Sequence, residues 1–128
     1  MLSAARDELL TIEELAESLA VPRHHLAKVV QRLQHMDLLE TVRGRGGGVR
    51  RAAAAQDISI GRIVRELEGA TEVVDCDGEQ ACPLSQSCRL RGALRQAQEA
   101  FYAFLDPLTI GDLAAPPTQQ VLLTLGRR

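Results

Sequence analysis

The sequence predicts a mainly α-helical protein with a small β-wing, in which a winged helix-turn-helix is followed by a long helix. Three observations lead to this fold class. The chain has 128 residues, 45% of them apolar, which is enough for one domain with one core. Apolar residues recur at helical spacing near residues 15–36 and again near residues 90–104. Between these regions, a glycine-rich segment separates two short stretches that contain β-branched residues.

The first two helices are predicted from their start signals. Thr11 and Glu14 form a capping box, and apolar residues at helical spacing extend that helix from about residue 12 to residue 20. Pro22 suits the first position of the next helix, where its missing N–H would be unpaired anyway. The second helix carries its apolar stripe on Leu26, Val29, Val30, Leu33 and Met36. Two short helices joined by a tight turn, the second one basic, predict a helix-turn-helix.

A two-stranded wing is predicted next, with strands at Leu38–Val42 and Val49–Ala52 and the break at Arg43–Gly48. Residues 23–51 hold seven Lys and Arg against two Asp and Glu, a net charge of +5. The rest of the chain holds eight against fifteen, a net charge of −7. This segregation predicts a phosphate-facing surface that the overall charge of −2 conceals. The candidate DNA contacts are Arg23, His25, Lys28, Arg32, Arg43, Arg45, Gly46 and Gly47.

The organisation of the whole chain follows from these elements. Residues 1–56 are predicted as the winged helix-turn-helix region with an apparently truncated first helix, 57–69 as a connecting helix, 70–88 as a cysteine-containing loop, 89–114 as a dimerisation helix and a short following helix, and 115–128 as a tail. In the long helix, the spacing 4, 3, 4, 3 of its apolar residues makes a heptad seam of Leu90, Leu94, Ala97, Phe101 and Phe104. That seam favours a helix paired across a homodimer axis, with an intramolecular core stripe as the alternative.

Several classes of protein are excluded by composition. No signal peptide or membrane span is recognisable, which predicts a cytoplasmic protein with no membrane partner, and the odd number of three cysteines argues against a secreted disulfide framework. The only aromatic residues lie within 101–104, so no platform for stacking single-stranded bases is present. No nucleophile, histidine and acid have the spacing of a catalytic set, and we expect no enzymatic activity.

The three cysteines are the candidate metal ligands. Cys76, Cys82 and Cys88 follow a C-x5-C-x5-C pattern, which is wider than the paired spacing usual in structural zinc sites. Even spacing on a loop suits three corners of an iron–sulfur cluster. Another metal, or three thiols without a ligand, remain alternatives on spacing alone.

A resemblance to a known family makes these expectations more specific. The chain resembles the NsrR family of nitric-oxide-sensing iron–sulfur repressors. That family belongs to a winged-helix superfamily that also includes the iron–sulfur-assembly regulator. The similar segments are Ala20–Pro22, Leu33–His35, Arg43–Gly48, Ile63–Gly69, Val74–Cys76, Cys82–Leu84, Cys88–Arg91, Ala100–Tyr102 and Leu105–Thr109, within residues 11–125. The resemblance implies a homodimer that binds a double-stranded, inverted-repeat operator while it holds a cluster, [4Fe-4S] in preference to [2Fe-2S], and that releases the DNA when nitric oxide attacks the cluster.

Two departures from the family pattern concern the fourth cluster ligand. In the iron–sulfur-assembly regulator a histidine stands three residues after the last cysteine, where this chain has Arg91. In the nitric oxide sensors the resemblance implies an aspartate on an N-terminal helix, and here only ten residues precede Thr11. Asp7 lies too close to the capping box to match it, so either the start of the chain is assigned too late or the cluster has an open site. The alternative functions are an iron–sulfur-supply or redox-sensing regulator, and a metal-ordered dimerisation module that does not bind DNA.

Overall fold

A computed structural model describes residues 9–69 and 71–125. Within these residues it contains helices α1 (Ile12–Leu19), α2 (Arg23–His35), α3 (Ile60–Glu68), α4 (Arg89–Leu105), α5 (Ile110–Ala114) and α6 (Thr118–Leu125), strands β1 (Leu39–Val42) and β2 (Gly48–Arg51), and a 3₁₀ turn (Ala53–Asp57). The chain divides into two compact units, Met1–Ile58 with Thr109–Arg128, and Ser59–Leu108. No helix in the described ranges has the length and apolar character that crossing a membrane requires.

The start of α1 is the predicted capping box. The Glu14 N–H donates to Thr11 Oγ1 at 3.2 Å, and the Thr11 N–H donates to Glu14 Oε2 at 2.7 Å. These bonds satisfy donors that the first helical turn leaves unpaired. The helix ends at Ala20, which has a φ of 53°. Pro22 is the residue that caps α2 and not its first helical residue, because its ψ of 133° is extended, and this corrects the predicted position by one residue.

The wing is a two-stranded antiparallel sheet in which Leu39 pairs with Arg51 and Val42 pairs with Gly48. The observed strands are each shifted from the predicted ones by one residue at one or both ends. Leu10 extends the sheet, since its N–H and carbonyl both bond to Val49, at 3.0 and 2.8 Å. Because β2 alternates in burial, the side chains of Val49 and Arg51 are both buried.

The core of the first unit lies between the two helices and the wing. It consists of Leu10, Leu15, Ala16, Leu26, Val30 and Val49. Leu15 and Ala16 are the buried residues of α1, and Leu26 and Val30 are those of α2, which is the inward face that helical periodicity predicts. This packing leaves the other faces of α2 exposed to solvent.

In the second unit, α3 packs against α4. Ser59 caps α3 by accepting from the Arg62 N–H at 3.2 Å, and Tyr102 is the buried residue of α4. The loop between the helices has no regular secondary structure in its described part, residues 71–87. That loop contains the first two cysteines, and Cys88 caps the start of α4.

Two elements of the structure, helix α6 and the 3₁₀ turn after the wing, were not predicted. The segment predicted as a tail, 115–128, contains the helix α6. The 3₁₀ turn at Ala53–Asp57 was not predicted, and it packs against α5 in the first unit. Thr109 starts α5 with a second capping box, in which it accepts from the Asp112 N–H at 3.1 Å, in agreement with the short helix predicted there.

Candidate functional site

A basic surface lies on the solvent side of α2. Helix α2 is held in the core by Leu26 and Val30. The predicted contact residues of this helix, Arg23, His25, Lys28 and Arg32, are all exposed. His25, Lys28 and Arg32 are separated by three and four residues, so they share one face of the helix. We name these three residues with Arg23 the α2 basic surface.

Arg23 of the α2 basic surface has an acidic neighbour. Arg23 Nη2 lies 2.5 Å from Glu13 Oε1 of α1, and both side chains are largely exposed. An exposed pair of this kind contributes little to stability, and a phosphate can compete for the arginine. The contact nevertheless reduces the positive charge at the start of α2.

The tip of the wing presents two further exposed arginines, Arg43 and Arg45. Between them Gly44 has a φ of 99°, a conformation that side chains rarely adopt. A Cβ at Gly47 would overlap the Val42 carbonyl oxygen, and the Gly47 N–H donates to the Gly44 carbonyl at 3.0 Å. The glycines therefore allow a tight turn that exposes both arginines.

Two arginines that contribute to the predicted charge excess do not contribute to this surface. Arg50 Nε donates to Glu40 Oε2 across the sheet at 2.8 Å, so its charge is balanced. Arg51 is 8% exposed, and its Nε and Nη1 have no hydrogen-bond acceptor in the described part of the chain. The net charge counted along residues 23–51 therefore overstates the charge available to a phosphate backbone.

The second candidate site is the cysteine loop, residues 71–88. Cys76, Cys82 and Cys88 are half-buried free thiols. The Cys82 N–H donates to the Cys76 carbonyl at 3.0 Å, which closes the loop between the first two cysteines. Cys88 Sγ accepts from the Arg91 N–H at 3.4 Å in the first turn of α4.

Burial is the main influence on the first of the three thiols. Burial raises the pKa of the Cys76 thiol, the Arg91 guanidinium opposes that rise, and Cys82 and Cys88 each add to it. Among the described residues, no three His, Cys, Asp or Glu side chains meet closely enough to hold a single metal ion.

This arrangement can be tested against the two metal alternatives. A tetrahedral zinc site brings its sulfur ligands together around one ion, at about 2.3 Å from the metal. A cluster distributes its thiolate ligands over separate irons. The cysteine loop supplies three thiol donors, the ligand type of a cluster, and Arg91, three residues after Cys88, adds no metal ligand to them.

Arg91 takes part in the loop in a way that the sequence did not predict. Its Nε and Nη2 donate to Glu72 at 2.7 and 3.1 Å, and its Nη1 and Nη2 donate to Asp77 at 3.3 and 2.5 Å. Glu72 precedes Cys76, and Asp77 follows it directly. Hydrogen bonds from Arg91 lower the pKa of the Glu72 carboxyl.

The predicted seam of α4 is mainly exposed within the second unit. Leu90, Phe101 and Phe104 are 65, 56 and 74% exposed, Ala97 is exposed and Leu94 is half-buried. The intramolecular alternative is therefore wrong for the three large residues, because they are not core in the second unit. A cavity of about 640 Å³ adjoins this face and is lined in part by Val64, Val73 and Leu94.

Comparison with known proteins finds relatives among transcriptional regulators. A family model described as Rrf2, iron-dependent transcriptional regulator, matches residues 1–116. An HTH-type transcriptional repressor NsrR of Streptomyces coelicolor is 56% identical over 122 residues, which are 95% of this chain and 82% of that protein. An HTH-type transcriptional regulator NsrR of Geobacillus kaustophilus is 40% identical over 109 residues, 84% of this chain and 74% of that protein.

Solved structures show the same fold at lower identity. Staphylococcus aureus CymR aligns with a TM-score of 0.66 and 24% identity over 88% of this chain and 85% of its own. The structure titled T. potens IscR aligns with a TM-score of 0.64 and 21% identity over 88% of this chain and 74% of its own. The predicted fold class, a winged helix-turn-helix with a long helix, is confirmed by these likenesses.

Proposed function

The chain belongs to the Rrf2 family of iron-dependent transcriptional regulators, and we propose that it is a DNA-binding repressor whose operator affinity is controlled by an iron–sulfur cluster that reacts with nitric oxide. Relatives named as NsrR transcriptional regulators match most of the chain, and such regulators are not enzymes. The observation that carries the proposal is the occurrence, in one Rrf2 chain, of an exposed basic helix with its wing and a loop with three half-buried thiols.

The DNA-facing part of the proposal assigns roles to the exposed cations. The α2 basic surface enters the major groove of a double-stranded operator, where arginine can read guanine and Lys28 contacts phosphate. Arg43 and Arg45 at the wing tip, with Gly46 and Gly47 allowing close approach, enter the adjacent minor groove. Because no carboxylate in the described ranges pairs with Lys28, Arg43 or Arg45, we expect the affinity for DNA to depend strongly on salt.

The proposed assembly is a homodimer that matches an inverted-repeat operator. The exposed seam on α4 continues into the apolar cavity beside Val64 and Val73, and such a contiguous apolar face suits pairing with a second copy of the chain. Two-fold symmetry of the protein then corresponds to two half-sites of DNA. DNA of this kind lies in the bacterial cytoplasm, which is the proposed location.

The proposed cluster ligands are Cys76, Cys82 and Cys88, with [4Fe-4S] favoured over [2Fe-2S]. When bound, the cluster would supply iron that nitric oxide attacks. The chain's own part is to hold three thiolates on one loop, shield them partly from water, and keep the cation of Arg91 beside them. The loop is then the two-state element that couples ligation to the DNA-binding unit.

The proposal is tested with protein purified under strict anaerobiosis. Cys88→Ala is expected to abolish both the visible absorbance of a cluster and high-affinity binding to a genomic operator fragment, whereas Ser87→Ala, its matched control, is expected to retain both. A stoichiometric nitric oxide donor is expected to release the wild-type protein from DNA. Equal operator binding by Cys88→Ala and wild type would reject the coupling.

The alternatives give different outcomes in the same experiment. Cluster absorbance with DNA binding that ignores nitric oxide would indicate an iron–sulfur-supply regulator. DNA binding that follows thiol oxidation without visible absorbance would indicate a redox switch. No binding to any genomic fragment would indicate a metal-ordered dimerisation module.

A further inference from the structure

We infer that Arg91 is a positioning residue that holds both flanks of Cys76 against the start of α4 before a cluster binds, so that ligation has less of the cysteine loop to order. The inference rests on the proposed function for the identity of the ligand, but its structural part concerns this chain alone. Arg91 stands at the position where the iron–sulfur-assembly regulator has a histidine ligand. In this chain the Arg91 side chain at that position binds carboxylates of the cysteine loop instead.

The contacts of Arg91 span the loop from both sides of its first cysteine. The guanidinium binds Glu72, four residues before Cys76, through two hydrogen bonds, and Asp77, one residue after Cys76, through two more. Glu72 and Asp77 are 19 and 14 residues away along the chain. One side chain thus fixes both flanks of Cys76 to the first turn of α4.

The backbone of Arg91 is fixed to the last cysteine at the same place. The Arg91 N–H donates to Cys88 Sγ, and the Gly92 N–H donates to the Cys88 carbonyl at 3.4 Å. The turn that carries the guanidinium therefore starts at Cys88. Arg91 therefore connects the segment around the first cysteine to the third cysteine. The hydrogen bond from the Cys82 N–H to the Cys76 carbonyl connects the second cysteine to the first.

The geometry requires arginine specifically. A planar guanidinium can donate pairs of hydrogen bonds to two carboxylates at once, whereas a lysine ammonium cannot reproduce this fork. The Arg91 side chain is only 20% exposed, so water screens its ion pairs less than it screens surface pairs.

A neighbouring arginine provides the matched control. Arg95 lies one helical turn further along α4, and its Nε is 3.8 Å from Glu72 Oε1. Its side chain is 66% exposed, and it makes no bidentate hydrogen bond to a carboxylate of the loop within the described residues. Arg95→Gln removes the same charge from the same region and leaves the hydrogen bonds of Arg91 to Glu72 and Asp77, which we call the clamp, in place.

The first test uses the cluster-free protein and hydrogen–deuterium exchange. The amides of Cys82, Ser85 and Ser87 are hydrogen-bonded within the loop. Arg91→Gln is expected to raise their exchange rates by about tenfold, the factor that corresponds to the loss of one hydrogen bond to a charged group. Arg91→Lys is expected to give most of that increase, and Arg95→Gln little of it. Slow exchange in α4 checks that the unit remains folded. Equal loop exchange in Arg91→Gln and wild type would overturn the inference.

The second test measures cluster retention after anaerobic reconstitution with iron and sulfide. Arg91→Gln is expected to lose iron to a chelator several-fold faster than wild type, while Arg95→Gln loses it at the wild-type rate. If wild type takes up no cluster, the proposed function fails while the exchange result still decides the role of Arg91. If wild type takes up a cluster and Arg91→Gln retains it equally well, the clamp does not act in ligation.

Discussion

Gly61 of α3 lies directly against Asp106 at the end of α4. A Cβ at Gly61 would lie 2.8 Å from the Asp106 backbone nitrogen and 2.9 Å from its Cα. Backbone atoms of a helix end cannot move away as a flexible side chain could, so the methyl group forces the two helices apart. We expect Gly61→Ala to lower the free energy of unfolding by about 1–3 kcal/mol, as overpacking does, measured by urea denaturation.

Gly92 of α4 provides the control for this prediction. It is also helical, but nothing lies within 4 Å of the position a Cβ would take. Gly92→Ala is expected to raise stability by up to about 1 kcal/mol, because alanine favours the helix. If both variants were more stable than wild type, helix propensity and not the contact with Asp106 would govern Gly61.

The pairing of Asp106 with Arg65 predicts an acid dependence of stability. Two hydrogen bonds from the Arg65 guanidinium, at 2.5 and 3.1 Å, hold the pKa of Asp106 below its usual range. The stabilisation is present above the unfolded pKa of about 4 and is lost as pH falls through the lower folded pKa. Asp106→Asn should make the acid-side decline in the unfolding free energy shallower.

The control for this pH dependence is Glu99→Gln. Glu99 lies 4.0 Å from Arg65 Nη2 and its side chain is 75% exposed, so its removal should leave the acid-side decline close to that of wild type. Denaturation of the cluster-free protein at pH values between 3 and 7, chosen around the carboxyl pKa range, gives the comparison. An unchanged acid-side slope in Asp106→Asn would show that the pair contributes nothing.

The burial of Arg51 predicts a stabilising substitution. Its guanidinium is inside the first unit with two nitrogens that have no acceptor in the described part of the chain. Replacing buried N–H donors that lack an acceptor by an apolar side chain removes a desolvation cost, and Arg51→Leu should raise the free energy of unfolding by about 1 kcal/mol or more. Arg50→Leu should not raise the free energy of unfolding, because Arg50 pairs with Glu40 at the surface. Lower stability of Arg51→Leu, measured by thermal denaturation, would contradict this account.

The wing predicts different roles for two arginines five residues apart. Arg45→Gln should weaken operator binding and lower the slope of log affinity against log salt by about 0.9 for a lost phosphate contact. Arg50→Gln should change both much less, because Glu40 already balances that charge. Fluorescence anisotropy titrations at several salt concentrations provide the measurement. Superimposable titrations of Arg45→Gln and wild type would remove the wing tip from the DNA interface.

The exposed seam of α4 predicts an effect on assembly. Phe104 is 74% exposed in the single chain, and Phe104→Glu should shift the protein from dimer to monomer in sedimentation experiments, because a charge would be buried at the pairing surface. Gln96→Glu adds the same charge to α4 outside the seam and should leave the assembly unchanged. A Phe104→Glu protein that sediments like wild type would place the dimer interface elsewhere.

The elements that sequence reasoning predicted well are those whose causes are local. The capping box of Thr11 and Glu14 involves residues three apart, and the inward faces of α1 and α2 follow from helical spacing. The glycine-rich turn of the wing was predicted for the same reason, since its unusual φ values depend on the residues of the turn itself. The helix α6 was not predicted, because two prolines before it indicated a tail.

What the sequence by itself determined was the order of helices and strands as far as α5, the position of the wing, and the grouping of three cysteines in one segment. What only the tertiary structure decided was the role of each arginine. Arg45 is exposed, Arg51 is buried without an acceptor for two of its nitrogens in the described residues, and Arg91 clamps the cysteine loop. Their side chains are identical, but their surroundings differ, and the two partners of Arg91 lie 19 and 14 residues away along the chain. Such partners come together only when the chain folds, which is why charge counted along the sequence could not assign these roles.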